Sequence, residues 1–311
     1  GLFVDILKFG THAVISPEEH PELAGRVLDM RAAFRDRFGA EFGKDIEFFD
    51  PERYLDSGSI AQNIIFGDFA GRRPSHAKTL QNRQFLAFLD KAGLERDLVD
   101  FGATVAAATV PILRYAAQTN ELYSDSPIAS DDLDGYTRIV DEMGGRGAGG
   151  LKASSRRMLL RLALGFAPGR HKTVRMPGSL KERIMAARAE FRSFMSSESG
   201  LLQPYEPSQY ILSRSIRDNI LFGQPKAGRG GTLERINQHL VQLLIEEGVL
   251  ESVMEQGLDF QVGSMGEPLS GAQRQKVALA RDGRKSPAVY VLDEAKHLAL
   301  AVVPESQLSV A

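Results

Sequence analysis

The chain has 311 residues, 43% of them hydrophobic and 25% charged, which suits a globular protein with one large core or two ordinary ones. Its 38 basic and 40 acidic side chains leave a formal charge of -2, so no overall field draws it to nucleic acid or acidic membranes. With no cysteine, disulfides, thiolate metal sites and thiol nucleophiles are excluded, in keeping with a reducing cytosol.

The first periodic segment sets Leu23, Val27, Met30 and Phe34 at i, i+4, i+7 and i+11, one apolar face of a helix. Ser16-Pro17-Glu18-Glu19 has the form of a capping box with Pro17 at the first helical position. A turn over residues 39–44 follows, then the segment from Ser59 to Gly67, then an apolar helix ending near Gly93-Leu94. Residues 103–113 form the longest apolar stretch; it contains Pro111, is too short for a bilayer span, and reads as plain helix through Ala117. No signal peptide is expected from these residues. Residues 124–134 are rich in Ser, Asp and Pro and read as a loop, while the glycine-dense 144–150 is expected to be flexible or ligand-facing.

From Leu180 the pattern starts again. Leu23, Arg26, Arg31, Ala32, Phe34 and Arg35 recur as Leu180, Arg183, Arg188, Ala189, Phe191 and Arg192, a constant offset of 157. Tyr54, Ser59, Ile60, Asn63, Ile64, Phe66 and Gly67 recur as Tyr210, Ser215, Ile216, Asn219, Ile220, Phe222 and Gly223, offset 156. The one-residue slip falls in turn-like stretches, 39–44 and 196–200, where a deletion costs little. This reads as a duplication. Leu180, Ile184, Ala187 and Phe191 repeat the apolar face, and Ser179-Leu180-Lys181-Glu182 repeats the capping-box form. Residues 7–102 and 164–263 are therefore expected to superpose, with Phe34 and Phe191 in like surroundings. Helix predominates, and convincing strand signal is confined to residues 288–292.

The last segment carries the strongest local pattern. Leu269-Ser270-Gly271-Ala272-Gln273-Arg274-Gln275-Lys276 runs into Val277-Ala278-Leu279-Ala280-Arg281. Twelve residues after Arg281 the apolar run Ala288-Val289-Tyr290-Val291-Leu292 closes on Asp293-Glu294. Ser270 stands where it caps a helix starting at Gly271 or Ala272, with Gln273 completing a capping box, and such a helix start is a ready phosphate site. Here the sequence resembles the ABC ATPases: an LSGGQ-like signature, its helix, and a Walker B strand at the family's spacing. Ser215-Ile216-Arg217-Asp218-Asn219-Ile220-Leu221-Phe222-Gly223 looks like the entry to the family's helical subdomain, and Gly257-Leu258-Asp259 with Val262-Gly263 resembles the lead-in to the signature.

The resemblance implies an α/β fold, a P-loop NTPase core fragment with predominantly helical, duplicated subdomains. It implies ATP and Mg²⁺ as cofactors, with Ser270, Gly271 and Gln273 facing the γ-phosphate of ATP held by an opposite subunit. Asp293 would hold Mg²⁺ through water, and Glu294 would polarise the attacking water. The implied partners are a second nucleotide-binding subunit and transmembrane subunits or domains, with no nucleic acid and no membrane span in this chain. The place implied is the cytoplasm, with the membrane reached through a transporter complex. The organisation expected is a first repeat over 1–102, a connecting helix and glycine-rich linker over 103–157, a second repeat over 158–263, and the signature helix with Walker B over 264–311. A chain that opens on Gly1 and ends 17 residues beyond Glu294 is expected to be part of a longer protein.

The chain departs from the family at several positions. No Gly-x-x-x-x-Gly-Lys-Ser/Thr string exists; the nearest approach, Gly145 to Ser154, has Leu151 before Lys152 and Ala153 before Ser154, and reads as a linker. Pro207 stands where the family's glutamine is expected, and Pro51 at the matching place in the first copy. Ala272 replaces the fourth signature residue, and Leu300 the aspartate expected after Glu294. His297 lies too close to Glu294 to be the switch histidine, and the first copy reaches no signature. Arg170-His171-Lys172 is a basic triplet of the kind usually found solvated, and no histidine pair has metal-ligand spacing. Three functions follow: an ATP-binding and hydrolysing subunit of a dimeric ABC transporter, a degenerate non-catalytic module lending its signature face or a scaffold to a competent partner, and an ABC-type ATPase of soluble machinery.

Overall fold

The computed structural model describes residues 2–69, 82–115, 123, 125–196, 202–226, 232–261 and 269–283. Its helices are α1 (Leu2–His12), α2 (Pro21–Phe42), α3 (Ile60–Ile65), α4 (Arg83–Lys91), α5 (Glu95–Tyr115), α6 (Leu133–Met143), α7 (Ala153–Gly165), α8 (Gly178–Ser196), α9 (Ile216–Leu221), α10 (Thr232–Glu246), α11 (Leu250–Leu258) and α12 (Gly271–Gly283). Four three-residue strands accompany them: β1 (Ile46–Phe48), β2 (Gly67–Phe69), β3 (Leu202–Pro204) and β4 (Gly223–Pro225). The chain divides into two compact units, residues 14–250 and residues 1–13 with 251–311.

Within 14–250 the two halves exchange their elements. Strand β1 pairs antiparallel with β4, and β2 with β3. Glu47 lies opposite Gln224, and Asp68 opposite Gln203, the same pair of positions shifted by 156. Likewise α2 packs on α9 and α10, while α8 packs on α3. Expecting strand signal only at 288–292 missed these ribbons. Three residues are too few to show alternation, and their partners lie more than 130 residues away in the chain.

A buried arginine locks each exchange. Arg31 of α2 is 5% exposed; its Nε donates to the Asn219 carbonyl at 2.8 Å and its Nη2 to Asn219 Oδ1 at 2.9 Å. Its Nη1 donates to the carbonyls of Glu206, Pro207 and Gln209. Arg188 of α8 is 7% exposed and repeats the set on Asn63, through carbonyl and Oδ1, both at 2.8 Å, and on the carbonyls of Asp50, Pro51 and Arg53. Each guanidinium also stacks on an aromatic ring, Arg31 at 4.3 Å from the Phe222 centroid and Arg188 at 4.2 Å from that of Phe66. Burial pulls both guanidinium pKa values down to about 10, so each stays charged at neutral pH.

The short helices α3 and α9 begin on Ser59 and Ser215, whose hydroxyls accept the backbone N–H of Gln62 and Asp218. Ser59-Ile60-Ala61-Gln62 closes a full capping box. Each ends on a phenylalanine at positive φ, Phe66 at 41° and Phe222 at 42°, a conformation that costs a β-carbon residue about 1 kcal/mol. The following glycines are required by contact: a Cβ on Gly67 would lie 2.5 Å from the Gln203 carbonyl oxygen, and one on Gly223 2.8 Å from that of Glu47. The capping boxes expected at Ser16 and Ser179 are absent. Ser16 Oγ accepts only Glu18 N–H, residues 17–19 form a turn, and α2 starts at Pro21. Helix α8 starts at Gly178, with the Pro177 carbonyl accepting from Lys181, so Ser179 lies inside the first turn.

Phe34 and Phe191 are both fully buried, the first against Phe38 and Phe42, the second between Phe85 and Phe88. Helix α5 packs on α7 so closely that a Cβ on Gly102 would meet the Leu159 carbonyl oxygen at 2.1 Å. Leu98, Val99 and Phe101 extend its apolar run beyond residues 103–113, so by length and composition α5 could cross a bilayer, although its packed face is core. Arg188→Lys leaves several buried carbonyls without a donor and is expected to lower stability by about 2–4 kcal/mol in urea denaturation, with Arg31→Lys matching it within about 1 kcal/mol.

Candidate functional site

In the unit of residues 1–13 and 251–311, α1 is the support on which the other two described helices rest. Gly10 and Gly257 let α1 and α11 touch backbone to backbone: a Cβ on Gly10 would sit 1.9 Å from the Val253 carbonyl oxygen, and one on Gly257 2.1 Å from that of Ile6. Phe9 and Phe260 stack beside this crossing with centroids 4.6 Å apart. Asp5, one turn earlier on α1, accepts from Lys276 Nζ at 2.7 Å and Gln273 Nε2 at 3.1 Å, both on α12.

The start of α12 has the expected capping box. Gln273 N–H donates to Ser270 Oγ at 3.3 Å, and Ser270 N–H donates to Gln273 Oε1 at 2.9 Å. The Ser270 carbonyl accepts Arg274 N–H, while Leu269 is buried beneath the turn and takes Arg274 Nη1 on its carbonyl at 2.8 Å. Ser270, Gly271 and Ala272 are exposed, and a Cβ on Gly271 would meet nothing within 4 Å. Among the described residues nothing accepts from the N–H groups of Gly271 and Ala272, which lie at the positive end of the helix. The Gln273 side chain is committed inward to Ser270 and Asp5. Burial alone would raise the Asp5 pKa, but hydrogen bonds from Lys276 and Gln273 with the Lys276 charge outweigh it and hold the carboxyl below its ordinary value.

Asp293 and Glu294, with the strand expected at 288–292, lie outside the described residues. The nearest approach to a phosphate loop is a helix-to-helix turn in the other unit. Gly144 ends α6 in the left-handed region, Gly145 and Gly147 follow at φ of 80° and 78°, and residues 148–150 make one 3-10 turn before α7. A P-loop instead leads from a strand into its helix. Lys152 occupies the position before α7 without capping it by its side chain. Sequence reasoning missed Asp5 altogether, because an isolated acidic residue on a helix carries no local signal of what it will face.

About a third of the chain is similar to ATP-binding proteins of ABC transporters. It is 35% identical over 101 residues to the uncharacterized ABC transporter ATP-binding protein YwjA of Bacillus subtilis, covering 32% of this chain and 16% of that protein. It is 39% identical over 89 residues to the serine protease/ABC transporter B family protein tagA of Dictyostelium discoideum, covering 29% and 5%. Against the heterocyst differentiation ATP-binding protein HepA of Nostoc the figures are 37% over 86 residues, 28% and 13%. The chain thus spans from 5% to 16% of these relatives' lengths. No protein-family model matches it, and no solved structure does.

Asp5→Asn removes the ion pair with Lys276 and weakens the bond to Gln273, and is expected to cost about 0.5–1.5 kcal/mol at pH 7 in urea denaturation. Because the folded Asp5 pKa lies below 3.8, its contribution is complete above about pH 4 and disappears as pH falls further. The gap between wild type and variant should therefore narrow on acidification.

Proposed function

We propose that this chain is part of an ATP-binding cassette protein of a dimeric ABC transporter and presents α12 to the γ-phosphate of ATP held by another nucleotide-binding subunit. The observation that carries this reading is the capped start of α12, with Ser270 and Gly271 exposed and two N–H groups that have no acceptor among the described residues. Sequence similarity to ABC transporter ATP-binding proteins over a third of the chain supports it. A phosphate there would take the N–H groups of Gly271 and Ala272 and the Ser270 hydroxyl, with Gln273 holding the turn in shape. Bound Mg²⁺ would supply charge neutralisation and polarise the γ-phosphate, with Asp293 as its ligand through water and Glu294 orienting the attacking water. Helical subdomains duplicated within the cassette belong to the same reading, supported by the matched arginine sets of Arg31 and Arg188. Transmembrane subunits or domains would bring this cytoplasmic piece to the membrane.

Within that reading the chain does not hydrolyse ATP alone. Residues 145–154 join two helices and lack the lysine spacing of a phosphate loop, and the remaining candidate groups, Asp293 and Glu294, repel a triphosphate. Steady-state phosphate release from the purified chain should stay at background with ATP and Mg²⁺. Turnover on the order of 1 per second, abolished by Glu294→Gln, would overturn the non-catalytic reading. Added to an ABC nucleotide-binding subunit that has an intact phosphate loop but a disabled signature, the chain should restore turnover, and Ser270→Arg should remove that rescue.

A further inference from the structure

The two halves of residues 14–250 match position by position through β1 and β3, and at one of these positions they differ in a way that leaves room. Strand β1 ends on Phe48, opposite Gly223, and β3 ends on Pro204, opposite Gly67, the same positions shifted by 156. The half-buried Phe48 ring lies beneath Arg35 of α2, its centroid 4.3 Å from the guanidinium carbon, a cation–π contact. In the other half Arg192 of α8 stands where Arg35 does, 157 residues later. Its strand partner is Pro204, whose small ring is tied back to its own nitrogen and is not aromatic.

A cavity of about 540 Å³ lies there, lined by Pro204 and Arg192 together with Ile65, Phe66, Met185 and Ala189. Met185 and Ala189 correspond to Leu28 and Ala32 of α2, so the helix wall is kept while the strand's ring is lost. The volume falls within the range of small-molecule sites, about 300–1,000 Å³, which leaves room for a ring and a substituent. Phe66 adds aromatic surface to the lining, and Met185 adds a thioether, a favourable neighbour for a ring. Arg192 Nη1 holds Glu206 Oε1 at 2.5 Å. Such an ion pair is compatible with stacking: Arg214 holds Asp68 at 3.0 Å and lies 5.2 Å from the Tyr205 centroid. The other charged groups of the lining select no ion. Lys181 holds Asp56 at 2.6 Å, and Glu52 and Glu182 are exposed to solvent.

We infer that this cavity binds a small uncharged aromatic compound, its ring seated by Pro204 and beneath Arg192 as Phe48 is seated beneath Arg35. The site lies within residues 14–250 and does not depend on the ATP reading. The test is titration of the full chain with benzyl alcohol, and separately with its saturated analogue cyclohexylmethanol, followed by backbone amide NMR shifts. Benzyl alcohol should shift the Ala189 and Arg192 amides and bind at least about twofold tighter than the analogue, although the analogue is the more hydrophobic. Arg192→Gln should weaken benzyl alcohol about two- to fivefold and leave cyclohexylmethanol unchanged. Pro204→Phe should fill the cavity from within and abolish binding of benzyl alcohol. The Arg192 side chain is 57% exposed, so its variant keeps the test decisive even if Pro204→Phe fails to fold. Equal binding of the two alcohols would mean an apolar crevice with no preference for a ring, and it overturns the inference. So would unchanged affinity for benzyl alcohol in Arg192→Gln or in a folded Pro204→Phe.

Discussion

The arrangement of residues 14–250 depends on two guanidinium groups held away from water. A buried cation of this size costs several kcal/mol in lost solvation, and that cost is met only when its donors are nearly all used. Arg31 and Arg188 each make five hydrogen bonds, four of them to backbone carbonyls. Everything nearby follows from that demand. Asn219 and Asn63 must turn their Oδ1 atoms to the arginine, and do so while also accepting from Ile211 and Leu55 N–H. The loops at 50–53 and 206–209 must aim their carbonyls inward. Phe66 and Phe222 must enter the left-handed region to lay their rings under the charge. Since each arginine belongs to the opposite half from the loop it orders, neither half completes its own loops.

The same exchange recurs at the helix ends. Arg26 donates to the Glu247 carbonyl past the end of α10, and Arg183 to the Gly93 carbonyl past the end of α4, where a cation also suits the negative helix terminus. The correspondence fails around Asp68. Asp68 is fully buried and takes Tyr205 Oη at 2.6 Å, Arg214 Nε at 3.0 Å and the Ser213 hydroxyl. The matching positions in the other half are Gln224, Phe49 and Gly58, which form no charged cluster. There Gln224 Nε2 is buried with no hydrogen-bond partner among the described residues. One half thus keeps an ionic network where its counterpart keeps a smaller, uncharged contact.

How legible this was depends on the range of each interaction. Recurring residues such as Arg31 and Arg188, or Asn63 and Asn219, were visible as a spacing, because identical demands select identical residues. The capping box at Ser270 was legible because its two partners are three residues apart. Ser59 to Gln62 follows the same rule. The boxes read at Ser16 and Ser179 had the right letters, but Pro21 and Gly178 start those helices elsewhere. The four strands and Asp5 left no local trace, since their partners come from distant parts of the chain.

Pro51 and Pro207 act through their backbone carbonyls. By resemblance to ABC ATPases, a glutamine is expected where Pro207 stands. Here the group in use is the proline carbonyl, which accepts from Arg31 Nη1 at 2.7 Å, as Pro51 accepts from Arg188 at 2.8 Å. Proline suits that use: it has no N–H to satisfy, and its fixed φ helps hold the loop in the conformation that points the carbonyl inward. A long polar side chain would add rotamer entropy to be lost and would make no new bond to the guanidinium. The loops at 50–53 and 206–209 therefore act as ligands for a cation of the protein itself, which is why the phosphate-facing chemistry proposed here rests on the separate, capped start of α12.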